Sequence, residues 1–223
     1  MSSIASNLEE IKKSIPEQCT IVAVSKTKPS SDIELAYKTG HRDFGENKVQ
    51  ELTQKSEELP KDIQWHMIGH LQRNKVKYIA PFVHLIHGVD SLRLLKEINK
   101  QAAKSDRIIH CLLQMHIAEE ATKFGFSKEE LDELIGGQDL KDMDNVKVVG
   151  LMGMATFTED QNQIRREFKG LKGLFEELKN SDHAKLDIKT LSMGMSGDYQ
   201  LAIEEGSNMV RIGSAIFGAR NYS

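Results

Sequence analysis

Lys26 follows directly on the apolar run Ile21-Val22-Ala23-Val24 and on Ser25. That setting places an amine at the mouth of a strand bundle, where apolar surroundings disfavour the ammonium form. Lys28 adds like-charge repulsion in the same direction. A neutral lysine amine is the nucleophile that condenses with an aldehyde to form a Schiff base. The same position also suits a lysine that merely snorkels from a strand end. Further along, Ser192-Met193-Gly194-Met195-Ser196-Gly197 leads into a helical stretch over 198–205. Glycines and hydroxyls at a helix start make an anion cradle of backbone N–H groups. Gly213-Ser214 repeats the pattern after the last apolar run. Either loop alone is satisfied by ordinary turn and cap chemistry, whereas the pair together suits a phosphate. Arg211 lies between Val210 and Ile212, and a buried guanidinium needs a partner. That partner is either a structural carboxylate or a ligand at the mouth of the fold.

Eight histidines raise the question of a metal. His66 and His70 straddle a strand-to-loop transition, which does not give helical spacing on one face. His84 and His87 fall in one predicted strand, where an odd spacing sends side chains to opposite faces. With no HExxH pattern and no Cys/His cluster, we expect no metal site.

The elements that must position these residues alternate along the chain. Apolar, β-branched runs predict strands over 20–25, 41–45, 64–68, 83–89, 108–117, 146–155, 190–193 and 209–213. Several are apolar on consecutive positions, as parallel strands covered on both faces should be. Helical periodicity predicts helices over 32–39, 92–104, 128–135 and 164–178. The chain has 223 residues, or roughly 28 per strand, a length that matches repeated βα units. The expectation is a single-domain (β/α)8 TIM-type barrel spanning 1–223. In such a barrel functional residues sit where strands run into their following loops. Lys26, Asn47, the 192–197 loop, Arg211 and Gly213-Ser214 all meet that condition.

Composition excludes other classes. Lys+Arg number 30 and Asp+Glu 33, for a net charge of −3, without a long run of one sign. A dedicated nucleic-acid binder would concentrate basic residues, so no nucleic acid is expected as partner. No run approaches the ~18 apolar residues of a membrane span, and the first fifteen or so residues lack a signal-peptide core. Cys19 and Cys111 show neither pairing nor ligand spacing, which suits a reducing cytoplasm.

Taken together, the motifs resemble one family. They are Val22-Ala23-Val24-Ser25-Lys26-Thr27-Lys28-Pro29, Phe44-Gly45-Glu46-Asn47-Lys48-Val49-Gln50-Glu51, Trp65-His66-Met67-Ile68-Gly69-His70-Leu71-Gln72-Arg73-Asn74-Lys75, and the stretches 191–197 and 210–218. In order and spacing they resemble the pyridoxal-phosphate homeostasis proteins, from Thr20 to Tyr222. The resemblance implies a barrel of the alanine-racemase N-terminal type, with pyridoxal 5′-phosphate (PLP) held as a Schiff base on Lys26. It places the phosphate on Ser196, Gly213 and Ser214, Arg211 at the pyridine nitrogen and Asn47 near the ring. The chain departs from the family pattern after the fifth strand. Many members read Asn-x-Ser-Gly-Glu-Glu-x-Lys there, where this one has Gln114 to Lys123, keeping Glu119, Glu120 and Lys123.

The function so implied is vitamin B6 homeostasis in the cytoplasm, without turnover, by a monomer that holds PLP and exchanges it with PLP-dependent apo-enzymes. An arginine at the pyridine nitrogen is always protonated and only donates, so it leaves the ring a poorer electron sink. The rival is a small PLP-dependent racemase or lyase working through Lys26. Alanine racemases, by that same resemblance, add a tyrosine base from a second domain. The barrel takes up this entire chain, so no such domain is expected here. Tyr37, Tyr78, Tyr199 and Tyr222 do not fall on a loop facing Lys26.

Overall fold

The computed structural model describes residues 3–119 and 124–219. Eight parallel strands close into a barrel in sequence order: β1 Thr20–Val24, β2 Asp43–Glu46, β3 Gln64–Met67, β4 Leu85–Val89, β5 Ile109–Gln114, β6 Val146–Met152, β7 Leu186–Met195 and β8 Met209–Ile212. Closure is made by β1 on β8, with Val22 opposite Arg211. The expected (β/α)8 barrel is therefore what the chain forms. Most predicted strands are trimmed at one end or both. β7 is the exception, being longer than predicted because the charged residues Asp187 and Lys189 hide its first half.

Helices fill the outer layer: α1 Ile4–Ser14, α2 Ser30–Tyr37, α3 Val49–Glu58, α4 Val76–Ile79 (entered through a 3-10 turn at Arg73–Lys75), α5 Leu92–Lys104, α6 Lys128–Gly136, α7 Gln138–Lys141, α8 Gln161–Lys179, α9 Tyr199–Glu204 and α10 Ser214–Phe217. α5 begins and ends where its periodicity predicts, and Ser91 caps it by accepting from the Leu94 N–H. α6 opens with a capping box between Ser127 and Glu130. α8 starts earlier than predicted because Asp160 takes the first N–H groups, those of Asn162 and Gln163. Its buried stripe of Ile164, Phe168, Leu171, Phe175 and Leu178 packs toward the sheet, each such side chain stabilising by about 1.5–3 kcal/mol.

Two apolar clusters divide the molecule. The larger lies between the strands and the helix layer and includes Ile21, Ala23, Phe44, Trp65, Phe168 and Val210. The smaller fills the barrel lumen with Val22, Leu85, Leu112, Val149, Met152 and Met209. The alternation along β1 follows: Ile21 and Ala23 face outward, Val22 and Val24 inward, and the next inward position is Lys26.

Candidate functional site

At the C-terminal mouth of the barrel lies a cavity of about 480 Å³. All six residues singled out from the sequence line it: Lys26 after β1, Asn47 after β2, Ser196 after β7, Arg211 in β8, and Gly213 and Ser214 beyond it. Val24, Ile68, Met154, Ile164 and Met195 give the walls an apolar lining, and Lys28 and Asp198 add charge. Thr156, Phe157 and Thr158 close one side from the β6–α8 loop, with Phe157 99% exposed at the rim. Of the further lining residues, Thr156 follows the predicted strand 146–155 and Asp198 opens the predicted helix 198–205, whereas Phe157 falls in no pattern that the sequence offers. Gly69 lets β3 crowd this mouth, since a Cβ there would lie 2.5 Å from the Asn47 carbonyl oxygen.

The backbone on either side of Lys26 is clamped from outside the barrel. Ser25 donates its hydroxyl to Glu46 Oε1 at 2.6 Å. Lys55 Nζ on α3 donates to Glu46 Oε1 and to the Ser25 carbonyl at 2.8 Å each, and to Glu51 Oε1 at 2.7 Å. Glu51 in turn accepts the Thr27 N–H at 2.6 Å. Thr27 has φ +65°, a left-handed conformation that a β-branched residue rarely adopts. Glu46 is fully buried and its second oxygen, Oε2, has no hydrogen-bond partner. Burial pushes its carboxyl above the usual range against the pull of Lys55 and Ser25.

Arg211 is 4% exposed, and its hydrogen-bond partners among the described residues are dipoles, with no carboxylate. Its Nη1 donates to the Ser192 carbonyl at 2.9 Å and to Ser192 Oγ at 2.7 Å, and its Nη2 to the Gly153 carbonyl at 3.0 Å. Three of five guanidinium donors are thus spent on the barrel wall. Burial lowers its pKa to about 10, with the Asp198 charge opposing, and the group stays cationic at neutral pH.

The two glycine–serine loops meet at this mouth. The Gly213 N–H donates to Ser196 Oγ at 3.1 Å, tying the loop after β7 to the end of β8. Ser214 opens α10, so its amide is one of the first-turn N–H groups that a helix leaves without an intrahelical acceptor. The helix after the β7 loop is shorter than predicted, Tyr199–Glu204 instead of 198–205, because Asp198 turns back to accept the Met195 N–H at 2.6 Å. Lys28 donates to the carbonyls of Phe217 and Ala219 at 2.9 and 3.0 Å.

Elsewhere the site departs from expectation. Strand alternation predicts His84 and His87 on opposite faces, but β4 begins at Leu85. His84 therefore lies before the strand, and both rings come near His66, with centroids 5.3 and 5.2 Å away. In the variant loop Gln114 donates to the Phe124 carbonyl at 2.9 Å, and the Glu119 N–H reaches Thr156 Oγ1 at 3.1 Å. Glu120 and Lys123, and Tyr222 near the C-terminus, lie outside the described residues. Among the described tyrosines none lines the cavity. Tyr37 donates to Asp62, and Tyr78 lies beneath Lys75 and Lys77.

A closed (β/α)8 barrel with an amine, a guanidinium and two glycine–serine loops at one mouth defines a class, and the comparisons identify it. The family model described as alanine racemase, N-terminal domain, matches residues 1–221. A pyridoxal phosphate homeostasis protein of Aquifex aeolicus is 40% identical over 96% of both chains, and that of Escherichia coli K12 is 36% identical over 100% of this chain and 99% of its own. The solved PipY of Synechococcus elongatus superposes with a TM-score of 0.91 without PLP and 0.88 with PLP bound. It is 32% identical, and the match covers 97% of this chain and all of that one. This chain belongs to the pyridoxal phosphate homeostasis protein family.

Proposed function

We propose that this chain binds pyridoxal 5′-phosphate at the barrel mouth, holds it as a Schiff base on Lys26, and serves intracellular vitamin B6 homeostasis rather than amino-acid turnover. The observation that carries this reading is the convergence in one cavity of the Lys26 amine, the buried Arg211 guanidinium and the Ser196–Gly213–Ser214 loops. That donor set fits a ligand with an aldehyde, a heteroaromatic nitrogen and a phosphate. When bound, PLP supplies an electrophilic carbonyl and a ring that delocalises charge. Lys26 offers its amine from a fixed backbone. Ser196, Gly213 and Ser214 receive the phosphate, the apolar lining of Val24, Ile68 and Met154 excludes water, and Asn47 borders the ring. Arg211 donates to the ring nitrogen and keeps it unprotonated.

That last role supports a carrier over a racemase or lyase, as does the absence of a described tyrosine from the lining. A monomeric, single-domain working unit belongs to the same reading. The buried thiols of Cys19 and Cys111 support a cytoplasmic setting. Passage of PLP to PLP-dependent apo-enzymes completes the reading.

The test is spectroscopic and kinetic. Protein loaded with PLP is expected to absorb in the visible, and borohydride should fix a pyridoxyl group on the Lys26 peptide. A label found only on another lysine would overturn the assignment. Loaded protein is then incubated with each L-amino acid in D2O while Cα deuteration and D-isomer formation are followed. Turnover near ~1 per second, abolished by Lys26→Ala, would restore the racemase reading.

A further inference from the structure

A line of polar side chains crosses the otherwise apolar lumen beneath the cavity. Asp43 Oδ1, at the start of β2, lies 3.0 Å from His66 Nε2 in β3. His66 Nδ1 lies 2.9 Å from His87 Nε2 in β4, and His87 Nδ1 lies 3.2 Å from Ser192 Oγ in β7. Ser192 Oγ accepts from Arg211 Nη1 at 2.7 Å. Strands β4 and β7 are not neighbours in the barrel wall, so the His87–Ser192 contact spans the lumen. His66, His87 and Ser192 are wholly buried, and only Asp43, 24% exposed, reaches water at the far end.

The chemistry of the two ends sets the direction of every hydrogen bond between them. Arginine has no acceptor, so Ser192 Oγ receives from Arg211 and turns its own proton to His87 Nδ1. Neutral His87 then carries its proton on Nε2 and donates to His66 Nδ1. His66 carries its proton on Nε2 and donates to the Asp43 carboxylate. With neutral imidazoles the reverse assignment would leave the His66 Nε2 lone pair facing a carboxylate oxygen. Burial favours neutral His87, whose pKa lies well below the ordinary value. Burial also works against the Asp43 carboxylate, but the His66 hydrogen bond and the neighbouring histidines outweigh it and hold that carboxyl below its usual range. His41, which contacts the Asp43 carbonyl at 2.8 Å, and His84 border this end.

We propose that Asp43, His66, His87 and Ser192 form a one-way hydrogen-bonded chain that ties the Arg211 cation to a distant carboxylate, making these four the positioning residues for the guanidinium that faces the cavity's ligand. The proposal rests on the PLP reading for the identity of that ligand. Among the described residues no carboxylate is hydrogen-bonded to Arg211, and one in contact would compete for the donors offered to a ring nitrogen.

Two measurements test it. The first is 15N NMR of the histidine side chains in the purified protein at neutral pH, which needs no assumption about PLP. It should show His66 and His87 each protonated on Nε2 alone, and a His87 proton on Nδ1 would overturn the chain. The second compares PLP affinity by equilibrium dialysis, and the visible band of bound PLP, across variants. Ser192→Ala and His87→Leu break the chain and should weaken binding about tenfold and move the band. His87→Gln, which still offers an acceptor and a donor, should keep both near wild type. Asp43→Asn keeps the hydrogen bond but removes the charge, and should fall between. If His87→Leu fails to fold, Ser192→Ala and His87→Gln decide. Unchanged affinity and band in Ser192→Ala, or equal loss in the Gln and Leu variants, would sink the proposal. If wild-type protein shows no visible band with PLP, the functional reading fails instead, and the tautomers alone judge the chain.

Discussion

Two buried polar networks flank the cavity, and they stabilise charge in opposite ways. Outside the barrel, Lys55 contacts Glu46 and Glu51 directly, and the group is anchored to the backbone around Lys26. Inside, Arg211 and Asp43 never touch, and neutral side chains bridge them. The difference follows from what each network must leave free. The outer one faces no ligand, so its charges can contact one another directly. The inner one ends on a guanidinium that lines the cavity, so its counter-charge sits at a distance.

The contrast predicts that the outer network fails hardest when cut. Lys55→Met would leave Glu46, wholly buried, without its cation, and removing one partner of a buried pair costs about 3–5 kcal/mol. Urea unfolding should show a loss of that size, and PLP occupancy should fall with it. A loss under ~1 kcal/mol would mean that water relieves the charge and that the pair behaves as a surface one.

Next in size is the phosphate mouth. Ser196→Ala and Ser214→Ala should each weaken PLP binding about 10- to 100-fold, the worth of roughly 1.5–3 kcal/mol for a hydrogen bond to a charged group. Ser196→Ala should have the larger effect, because its Oγ also holds the Gly213 N–H. Wild-type affinity in both variants would place the phosphate elsewhere.

The inner network should show itself in pH dependence. His87 remains neutral in the folded state but takes up a proton near its ordinary value of 6.5 when unfolded. The unfolded chain therefore binds more protons below 6.5, and stability is full above that pH and lost as pH falls. The loss is about 1.4 kcal/mol per pH unit from this residue. His41 and His84, also lowered chiefly by burial, steepen it. His87→Gln should flatten the profile, as followed by thermal unfolding between pH 7 and 5; an unchanged slope would show that His87 titrates normally.

The cavity was more legible in the sequence than either network beneath it. Lys26, Asn47, Ser196, Arg211, Gly213 and Ser214 sit at strand ends within short motifs, and barrel closure brings those ends together whatever the details of packing. The inner chain joins residues from five strands, and a lone Ser192 or His87 inside an apolar run carries no sign of its partner across the lumen. The outer network was hidden for a different reason. Its helix, α3, buries Val49, Leu52, Lys55 and Ser56, and the two polar members of that stripe erase the apolar period that would announce a helix. α1 was missed similarly, with Leu8 and Ile11 its only buried residues.

The left-handed backbone at Thr27 has a consequence for how this protein could be improved. A non-glycine residue held there stores about 1–2 kcal/mol, and the Glu51 carboxylate keeps it in place. Thr27→Gly would release that strain, and a screen for heat resistance would select it. Glycine would keep the N–H that Glu51 accepts but widen the backbone freedom next to Lys26, so selection for robustness and selection for ligand retention would pull this one position in opposite directions.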